Sequence, residues 1–177
     1  MANKVFIATS VDGFIADKDG SVDWLNENPS PSGSDGGFTN FMETVDALIM
    51  GRNTFQTVLG LGIDWPYSKK VFVLSNSLKE IDKSLKDKVE IVSGDIKKIV
   101  QNLNDRGFKN LYIDGGQTIQ SFLKENLIDE LIITRVPIIL GGGVPLFGEL
   151  PHKIRLEHCG TKTLDNGMVQ SHFKTKK

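Results

Sequence analysis

Two glycine-containing junctions hold the residues of this sequence with the clearest chemical potential. At the first, a buried strand at residues 111–113 runs into Gly115 and Gly116, and a helix is predicted from Thr118 onward. Because glycine has no side chain, a flat or anionic ligand can press against the backbone at this point. The unpaired N–H groups and the positive dipole end of the following helix favour phosphate. A Gly-Gly pair can also form a tight turn without any ligand, so a second junction is needed to favour a site.

The second junction lies upstream and has the same order of elements. A buried strand at residues 47–50 runs into Gly51, Arg52, Asn53 and Thr54, and a helix follows. Two helix starts of this kind can hold the two halves of a pyrophosphate. Arg52 adds a fixed cation that can bind a phosphate in bidentate fashion. Each residue has a structural alternative, such as a turn at Gly51 or a solvated charge at Arg52, but their grouping favours a ligand.

Polar residues also follow the next two predicted strands. Residues 71–74 form a buried strand that ends at Ser75, and residues 89–92 form another that ends at Ser93. In open α/β sheets, ligands bind where the carboxyl ends of the strands meet. Groups suited to acid–base catalysis are scarce at these strand ends. A site with phosphate contacts and few acid–base groups suits a bound cofactor that supplies the reactive atom itself.

The sequence excludes several other kinds of site. The Gly-x-Gly-x-x-Gly and Walker A phosphate motifs are absent. A calcium loop fails at residues 10–24, because placing Gly20 at the invariant glycine puts Ile15 at the first ligand position. The three glycines at 141–143 are predicted to bend the chain, since no helix start follows them. No spacing of His, Asp and Glu indicates zinc. The histidines and the single cysteine have no evident catalytic partners: His152, His158, His172 and Cys159.

The bulk composition is that of an ordinary globular protein. Its 177 residues predict one domain over residues 1–177, with 39% hydrophobic and 24% charged residues. The formal net charge of −1 and a pI near 6.3 give no electrostatic case for nucleic acid or an anionic membrane. One cysteine cannot form an intrachain disulfide, and the sequence has neither a signal peptide nor an apolar run long enough for a bilayer. We therefore predict a cytoplasmic protein.

The elements that must position these residues alternate between strands and helices. A first strand is predicted at residues 4–9, and further helices at 38–45 and 96–106. A strand at 131–136 and a closing hairpin with its turn at 165–167 complete the pattern. This order predicts an α/β fold with a mainly parallel central sheet, helices on both faces and an antiparallel C-terminal hairpin.

In order and spacing, these stretches resemble the dihydrofolate reductase-like superfamily. The branch they most resemble is the C-terminal reductase domain of the bifunctional deaminase–reductase of riboflavin biosynthesis, although the deaminase half with its zinc motif is missing. The resemblance covers nearly the whole chain, and it implies a three-layer fold of the dihydrofolate reductase type. It is carried by Ser10-Val11-Asp12-Gly13-Phe14-Ile15-Ala16, Asp23-Trp24-Leu25, Met50-Gly51-Arg52, Thr54-Phe55, Leu74-Ser75, Gly115-Gly116, Asp129-Glu130-Leu131, Pro137, Leu140-Gly141-Gly142-Gly143 and Leu146-Phe147.

The resemblance implies a NADPH-dependent reductase. Arg52 and Ser75 would lie near the adenosine ribose and favour its 2′-phosphate, and Ala8 would lie beside the nicotinamide. The loop at residues 10–24, which includes Trp24, would close over the reacting ring and exclude water. In dihydrofolate reductases the peptide that matches the Gly-Gly pair is cis. The cofactor-binding residues implied in this way are Ala8, Gly51, Arg52, Asn53, Thr54, Leu74, Ser75, Gly115, Gly116, Gln117 and Thr118.

Asp35 has two expected roles. Dihydrofolate reductases use a carboxylate on the helix before the Gly-Arg strand to bind the pterin, and Asp35 lies 16 residues before Gly51, where that acid belongs. Asp35 is therefore the candidate catalytic residue, with a helix N-cap as the alternative. It lies within residues 28–37, a run rich in Gly, Ser and Pro that predicts a mobile surface loop or a linker between domains.

Three functions remain open from the sequence. The first is a reductase for a pyrimidine- or pterin-like ring, most like 5-amino-6-(5-phosphoribosylamino)uracil reductase of riboflavin biosynthesis. The second is a dihydrofolate reductase, and the third is a nucleotide-binding module without turnover. We expect a small-molecule heterocyclic substrate, NADPH as cofactor and no metal, and no nucleic acid or membrane as partner. The resemblance also implies a homodimer built partly from the C-terminal strands.

Overall fold

A computed structural model describes residues 1–176 of the chain. The strands are β1 (Ala2–Thr9), β2 (Phe14–Ala16), β3 (Ala47–Gly51), β4 (Lys70–Leu74), β5 (Val89–Val92), β6 (Asn110–Asp114), β7 (Glu130–Arg135), β8 (Val144–Pro145), β9 (Leu156–Thr163) and β10 (Val169–Thr175). The α-helices are α1 (Phe38–Glu43), α2 (Arg52–Gly60), α3 (Ile96–Asp105) and α4 (Gly116–Lys124), and short 3₁₀ helices span Asp23–Glu27 and Lys83–Leu85. No helix in this part of the chain is both long and apolar enough to cross a membrane.

Eight strands form the main sheet, in the order β5-β4-β3-β6-β1-β7-β10-β9. All neighbours from β5 to β7 pair in parallel. At the other edge, β10 pairs antiparallel with β7, and β9 pairs antiparallel with β10. The predicted α/β fold, with a mainly parallel sheet and an antiparallel C-terminal hairpin, is therefore confirmed.

The central parallel strands are buried on both faces, which explains why they occur in the sequence as continuous apolar runs. In β3, Ala47 and Ile49 face the core that α3 and α4 cover, whereas Leu48 and Met50 face the core that α1 and α2 cover. All four side chains are fully buried. Helices thus lie on both faces of the sheet, which gives the three layers that the sequence predicts.

The loop at residues 28–37 is fastened to the turn between β9 and β10. Asn28 and Asn166 exchange side-chain-to-backbone hydrogen bonds of 2.6 and 3.0 Å. The Asp165 carboxylate accepts hydrogen bonds from the N–H and hydroxyl of Ser32 and from the hydroxyl of Ser30. These hydrogen bonds, from Ser32 first and then Ser30, hold the pKa of Asp165 below its ordinary value. The segment is an anchored surface loop, which its Gly-, Ser- and Pro-rich composition does not indicate.

The loop predicted at residues 10–24 contains a short strand of its own. This strand, β2, pairs antiparallel with β8, which follows the three glycines at 141–143. Gly143 has a φ of +147°, and a Cβ atom there would collide with the Ala16 carbonyl. The Asp12 carboxylate accepts hydrogen bonds of 3.1 and 2.8 Å from the N–H groups of Leu140 and Gly141. The glycines thus bend the chain, as predicted, and bring β8 against β2.

Candidate functional site

A cavity of about 940 Å³ opens at the carboxyl ends of β1, β3, β4 and β6. At this point β6 is inserted between β1 and β3, so the chain leaves the central strands in opposite directions. Such a switch point is where ligands bind in open α/β sheets. Every residue that was predicted to bind a cofactor lines the cavity: Ala8, Gly51, Arg52, Asn53, Thr54, Leu74, Ser75, Gly115, Gly116, Gln117 and Thr118.

The two glycine junctions pack directly against each other. A Cβ atom at Gly51 would lie 2.9 Å from the Thr118 hydroxyl, and one at Gly115 would collide with the Thr54 side chain. Gly115 also has a φ of +89°, a conformation that favours glycine. The Gly115–Gly116 peptide is trans, like all peptide bonds of residues 1–176, and so it differs from the cis peptide of dihydrofolate reductases. Each helix start therefore presents a glycine to the threonine of the other, which brings the two starts close together.

Neither helix start at the cavity is capped by a side chain. α2 begins after Gly51 and α4 begins after Gly115, and neither has a side-chain oxygen that accepts from its first-turn N–H groups. By contrast, the Asp95 carboxylate caps α3 through a 3.0 Å hydrogen bond from the Lys98 N–H. Uncapped N–H groups and a helix dipole together attract anions. The paired starts of α2 and α4 therefore fit a pyrophosphate, whereas the start of α3 is already satisfied.

Arg52 and two serines form one end of the cavity. The Arg52 guanidinium donates a 2.6 Å hydrogen bond from Nη1 to Ser77 Oγ. Ser75 Oγ accepts hydrogen bonds of 3.2 and 3.0 Å from the N–H groups of Ser77 and Leu78, which fixes the turn after β4. The Arg52 side chain is exposed, so its remaining N–H donors are free to face a ligand. A guanidinium and hydroxyls in this arrangement can hold a phosphate group next to the helix starts.

Asp114 also lines the cavity, and the sequence prediction of the site missed it. It ends β6, between β1 and β3, and its Oδ1 accepts a 2.9 Å hydrogen bond from the Gly115 N–H. Burial raises the pKa of Asp114 from its ordinary value of 3.8 to about 6, although the hydrogen bond from the Gly115 N–H acts in the opposite direction. A carboxyl group with this pKa can hold or release a proton near neutral pH. The sequence signal that could have found it is an acid that closes an apolar strand directly before a glycine pair.

Two tyrosines lie near Asp114. Burial, together with the Asp114 charge, raises the pKa of Tyr67 and of Tyr112 above the ordinary value. The Tyr112 hydroxyl donates a 2.9 Å hydrogen bond to the Phe6 carbonyl, and Tyr67 lines the cavity. Both phenols stay neutral at physiological pH, so Asp114 is the group of this cluster that titrates there.

Asp35, the predicted catalytic carboxylate, is not among the residues that line the cavity. Its side chain is exposed, and its two oxygens accept 2.8 Å hydrogen bonds from the N–H groups of Gly37 and Thr39 at the start of α1. Hydrogen bonds from Thr39 and then Gly37 lower the pKa of Asp35 to about 2. Asp35 thus satisfies an N–H group in the first turn of α1, although the N-cap position itself is held by Gly37.

The loop at residues 10–24 flanks the cavity, but Trp24 itself does not line it. Trp24 is 5% exposed, and the nearby Gly20, Val22 and Leu25 form part of the lining instead. The three histidines lie elsewhere, and they hydrogen-bond to Asn126, Thr161 and Glu130. Within residues 1–176, no group of His, Cys, Asp and Glu could hold a metal ion.

Comparison with known proteins places this geometry in a family. The family model of the RibD C-terminal domain matches residues 4–170. YwjB of Bacillus subtilis (strain 168), an uncharacterised protein, is 37% identical over 171 residues, which are 96% of this chain and 95% of YwjB. The crystal structure of a protein from Shewanella sp. PV-4, provisionally assigned to riboflavin biosynthesis, is 53% identical and superposes with a TM-score of 0.97 over 100% of both chains.

More distant structures share the fold. RibD of Acinetobacter baumannii is 18% identical with a TM-score of 0.77, and the match covers 99% of this chain and 58% of that one. Dihydrofolate reductase of Enterococcus faecalis is 16% identical with a TM-score of 0.69, and the match covers 99% of this chain and 97% of the reductase. At these identities the likeness shows the fold alone, and it confirms the dihydrofolate reductase-like architecture.

Proposed function

The chain belongs to the RibD C-terminal domain family, and on that premise we propose that it is a NADPH-dependent reductase. It transfers a hydride to a pyrimidine- or pterin-like ring compound, in a reaction most like that of 5-amino-6-(5-phosphoribosylamino)uracil reductase of riboflavin biosynthesis. The observation that carries the proposal is the pair of uncapped helix starts, locked together through Gly51 and Gly115 beside the Arg52 cation.

The lining of the cavity supports an extended dinucleotide. The N–H groups at the starts of α2 and α4 bind the pyrophosphate, with Asn53, Thr54, Gln117 and Thr118 around it. Arg52, with Leu74 and Ser75 beside it, binds the 2′-phosphate of the adenosine ribose and so favours NADPH over NADH. Since β1 lies on the far side of β6 from these residues, Ala8 at its carboxyl end meets the nicotinamide.

Hydride transfer depends more on holding the cofactor ring close to the substrate ring and excluding water than on catalytic side chains. NADPH, when bound, supplies the hydride, and the substrate gains that hydride and one proton. Ala8, Val22 and Leu25 all line the cavity, and small or apolar side chains such as these would let the two rings approach and would exclude water. The Asp114 carboxyl, with its pKa of about 6, donates the proton to the nitrogen next to the reduced carbon and takes another from solvent afterwards.

The other two functions have less support. A dihydrofolate reductase would need a carboxylate from the α1 region in the cavity, and Asp35 is engaged at the helix start instead. A nucleotide-binding module without turnover has no use for a half-buried carboxyl with a raised pKa, and Asp114 is such a group.

We also propose that the protein is a homodimer formed partly through its C-terminal strands. β9 is the edge strand of the main sheet, and nearly all of its residues are exposed. An unpaired edge strand of this kind can pair with another chain. Light scattering on a size-exclusion column should give about twice the chain mass of 19.5 kDa, and a mass equal to one chain would reject the dimer.

The test of the function is a fluorescence titration with NADPH and, separately, NADH, followed by measurement of NADPH oxidation with ring substrates. We expect tight NADPH binding and a clear preference over NADH. Arg52→Ala should weaken NADPH by about tenfold or more and leave NADH nearly unchanged, because one charge-assisted phosphate contact is lost. Arg155→Ala is the matched control, since Arg155 is exposed and does not line the cavity. If Arg52→Ala weakens the binding of NADPH and NADH equally, Arg52 does not recognise the 2′-phosphate. If the native chain binds neither cofactor, the reductase proposal fails.

A further inference from the structure

We infer that the ring substrate of this site carries no phosphate group. The inference rests on the proposed function, because it concerns the part of the cavity that NADPH leaves open. It departs from the riboflavin-pathway substrate, which is a 5′-phosphate. The argument depends on where the charged groups of the cavity lie.

Positive charge is confined to one end of the cavity. Arg52 is the one Lys or Arg among the lining residues that the structure describes. Its guanidinium reaches Ser77, in the turn after β4. In the sheet, β4 is separated from β1 by β3 and β6, so the two strands lie three spacings apart, or about 14 Å. The cation is therefore at the end that binds the adenosine ribose, far from Ala8.

The part of the cavity away from the Arg52 guanidinium carries an acid instead, and we call it the acid end. Asp114 ends β6, between β3 and β1, and its charge acts on the neutral Tyr67; the apolar Ala8, Val22 and Leu25 also line the cavity. A substrate phosphate here would lose its hydration without gaining a cation, which is unfavourable in a partly buried site. It would also repel the ionised Asp114 carboxylate.

The backbone N–H groups near the acid end have other acceptors as well. The Gly115 N–H is accepted by Asp114 Oδ1 at 2.9 Å. The uncapped starts of α2 and α4 lie side by side and would hold the pyrophosphate of the cofactor under the proposed function. A second phosphate on the substrate would therefore have neither a side chain nor a helix start to bind it.

Lysines around the cavity do not replace the missing cation. Lys4 Nζ donates a 3.3 Å hydrogen bond to Thr44. The Lys18 chain packs over Gly142, and Lys162 Nζ lies beside Gly37. None of the three lines the cavity in the described chain.

The chemistry that does fit the acid end is a flat, uncharged ring with N–H donors on one edge. An oxygen of the Asp114 carboxyl can accept from an N–H of such an edge, and in its protonated form the same carboxyl donates to a neighbouring ring nitrogen. Tyr67 and the apolar residues cover the faces of the ring. The substrate class is therefore a neutral pyrimidine or pterin compound, free or as its ribosyl derivative.

The test uses a matched pair of substrates that differ only in the phosphate. These are 5-amino-6-(5-phosphoribosylamino)uracil and the same compound after removal of its phosphate, each with saturating NADPH. We expect kcat/KM to be higher for the dephosphorylated compound by about tenfold, the size of a like-charge repulsion across a partly hydrated site. Equal values, or a preference for the phosphorylated compound, would overturn the inference while hydride transfer itself still supports the reductase. If neither compound nor any other neutral ring oxidises NADPH, the reductase proposal fails and the inference falls with it.

Variants at two positions test what sets the ratio of kcat/KM between the two compounds. Arg52→Ala at saturating NADPH should leave the ratio between the two compounds unchanged, because Arg52 faces the cofactor. If that variant instead removes a preference for the phosphorylated compound, Arg52 reads the substrate, and the inference is wrong. Leu25→Lys adds a second cation to the lining of the cavity and should shift the ratio toward the phosphorylated compound by about tenfold, whereas Leu25→Met should not shift it. An unchanged ratio in Leu25→Lys would show that the substrate phosphate lies outside the cavity, which also overturns the inference.

Discussion

Asp114→Asn should stabilise the protein near neutral pH while it lowers the reductase activity. Asn has the shape of Asp, and its amide oxygen can still accept the 2.9 Å hydrogen bond from the Gly115 N–H. What the substitution removes is the negative charge in a place where burial disfavours it. Functional sites often contain such a group, because its chemistry is retained at a cost in stability.

The size and sign of the effect follow from the pKa of Asp114. Folding raises that pKa from 3.8 to about 6, so the folded state holds the proton more tightly than the unfolded state. The free energy of unfolding therefore falls as the pH rises from 3.8 to about 6 and is constant above that range. The full rise in the pKa lowers the free energy of unfolding by at most about 3 kcal/mol at neutral pH. Below 3.8 both states are protonated, and the group contributes nothing.

The assay is urea unfolding followed by tryptophan fluorescence, at about pH 8 and at about pH 4. Relative to the native chain, Asp114→Asn should gain up to about 3 kcal/mol at the higher pH and almost nothing at the lower one. Asp64→Asn is the matched control, because Asp64 is exposed in a loop and should give no gain at either pH. In parallel, NADPH oxidation by the native chain should decline as the pH rises through about 6, since protonated Asp114 becomes scarce.

Two results would refute this reasoning. If the gain in stability is the same at both pH values, it does not come from the ionisation of Asp114. If Asp114→Asn keeps the native kcat and pH profile, the carboxyl is not the proton donor, even when the stability result agrees.

Two other substitutions test the packing. Gly115→Ala should destabilise the protein by about 1–3 kcal/mol more than Gly107→Ala, because both glycines have positive φ but only a Cβ at Gly115 would meet a neighbour, Thr54. Thermal unfolding of the two variants measures this difference, and equal losses would mean that the contact with Thr54 is relieved without cost. Asp165→Ala should make residues 28–37 sensitive to limited proteolysis, because the hydrogen bonds from Ser30 and Ser32 are lost. Asp64→Ala serves as the exposed control there, and an unchanged cleavage rate in Asp165→Ala would show that Asn28 and Asn166 hold the loop by themselves.

The cavity lining at the helix starts could be predicted because it depends on local sequence. Its residues lie at the ends of apolar strands or in the first turn of the helix that follows, and the parallel sheet brings the carboxyl ends of those strands together. Glycine at 51 and 115 was the strongest sign, since it marks a position where another part of the chain comes close. What the sequence could not show is that the part coming close at each glycine is a threonine of the other junction.

The place of Asp114 in the cavity was harder to predict, because it depends on long-range burial. Asp114 looks like an ordinary polar strand end until the fold encloses it, and only then does its pKa rise. Asp35 was the opposite case. Spacing from Gly51 suggested a substrate contact, but Asp35 lies exposed three residues before α1 and accepts from an N–H group of the first turn of that helix instead. The anchoring of residues 28–37 could not be predicted from the sequence either, because the residues that hold this loop are more than 130 positions away.

The central position of β1 has a consequence for how the chain is made. β1 leaves the ribosome well before both of its neighbours, because Asn110–Asp114 and Glu130–Arg135 are synthesised far later. Until then β1 has no partner for its backbone groups, and the starts of α2 and α4 cannot meet, because α4 follows β6. Contacts between such distant segments make folding slow and leave apolar segments exposed meanwhile. We expect the protein to acquire its structure late in translation and in one step, so the ligand site and the sheet centre arise together.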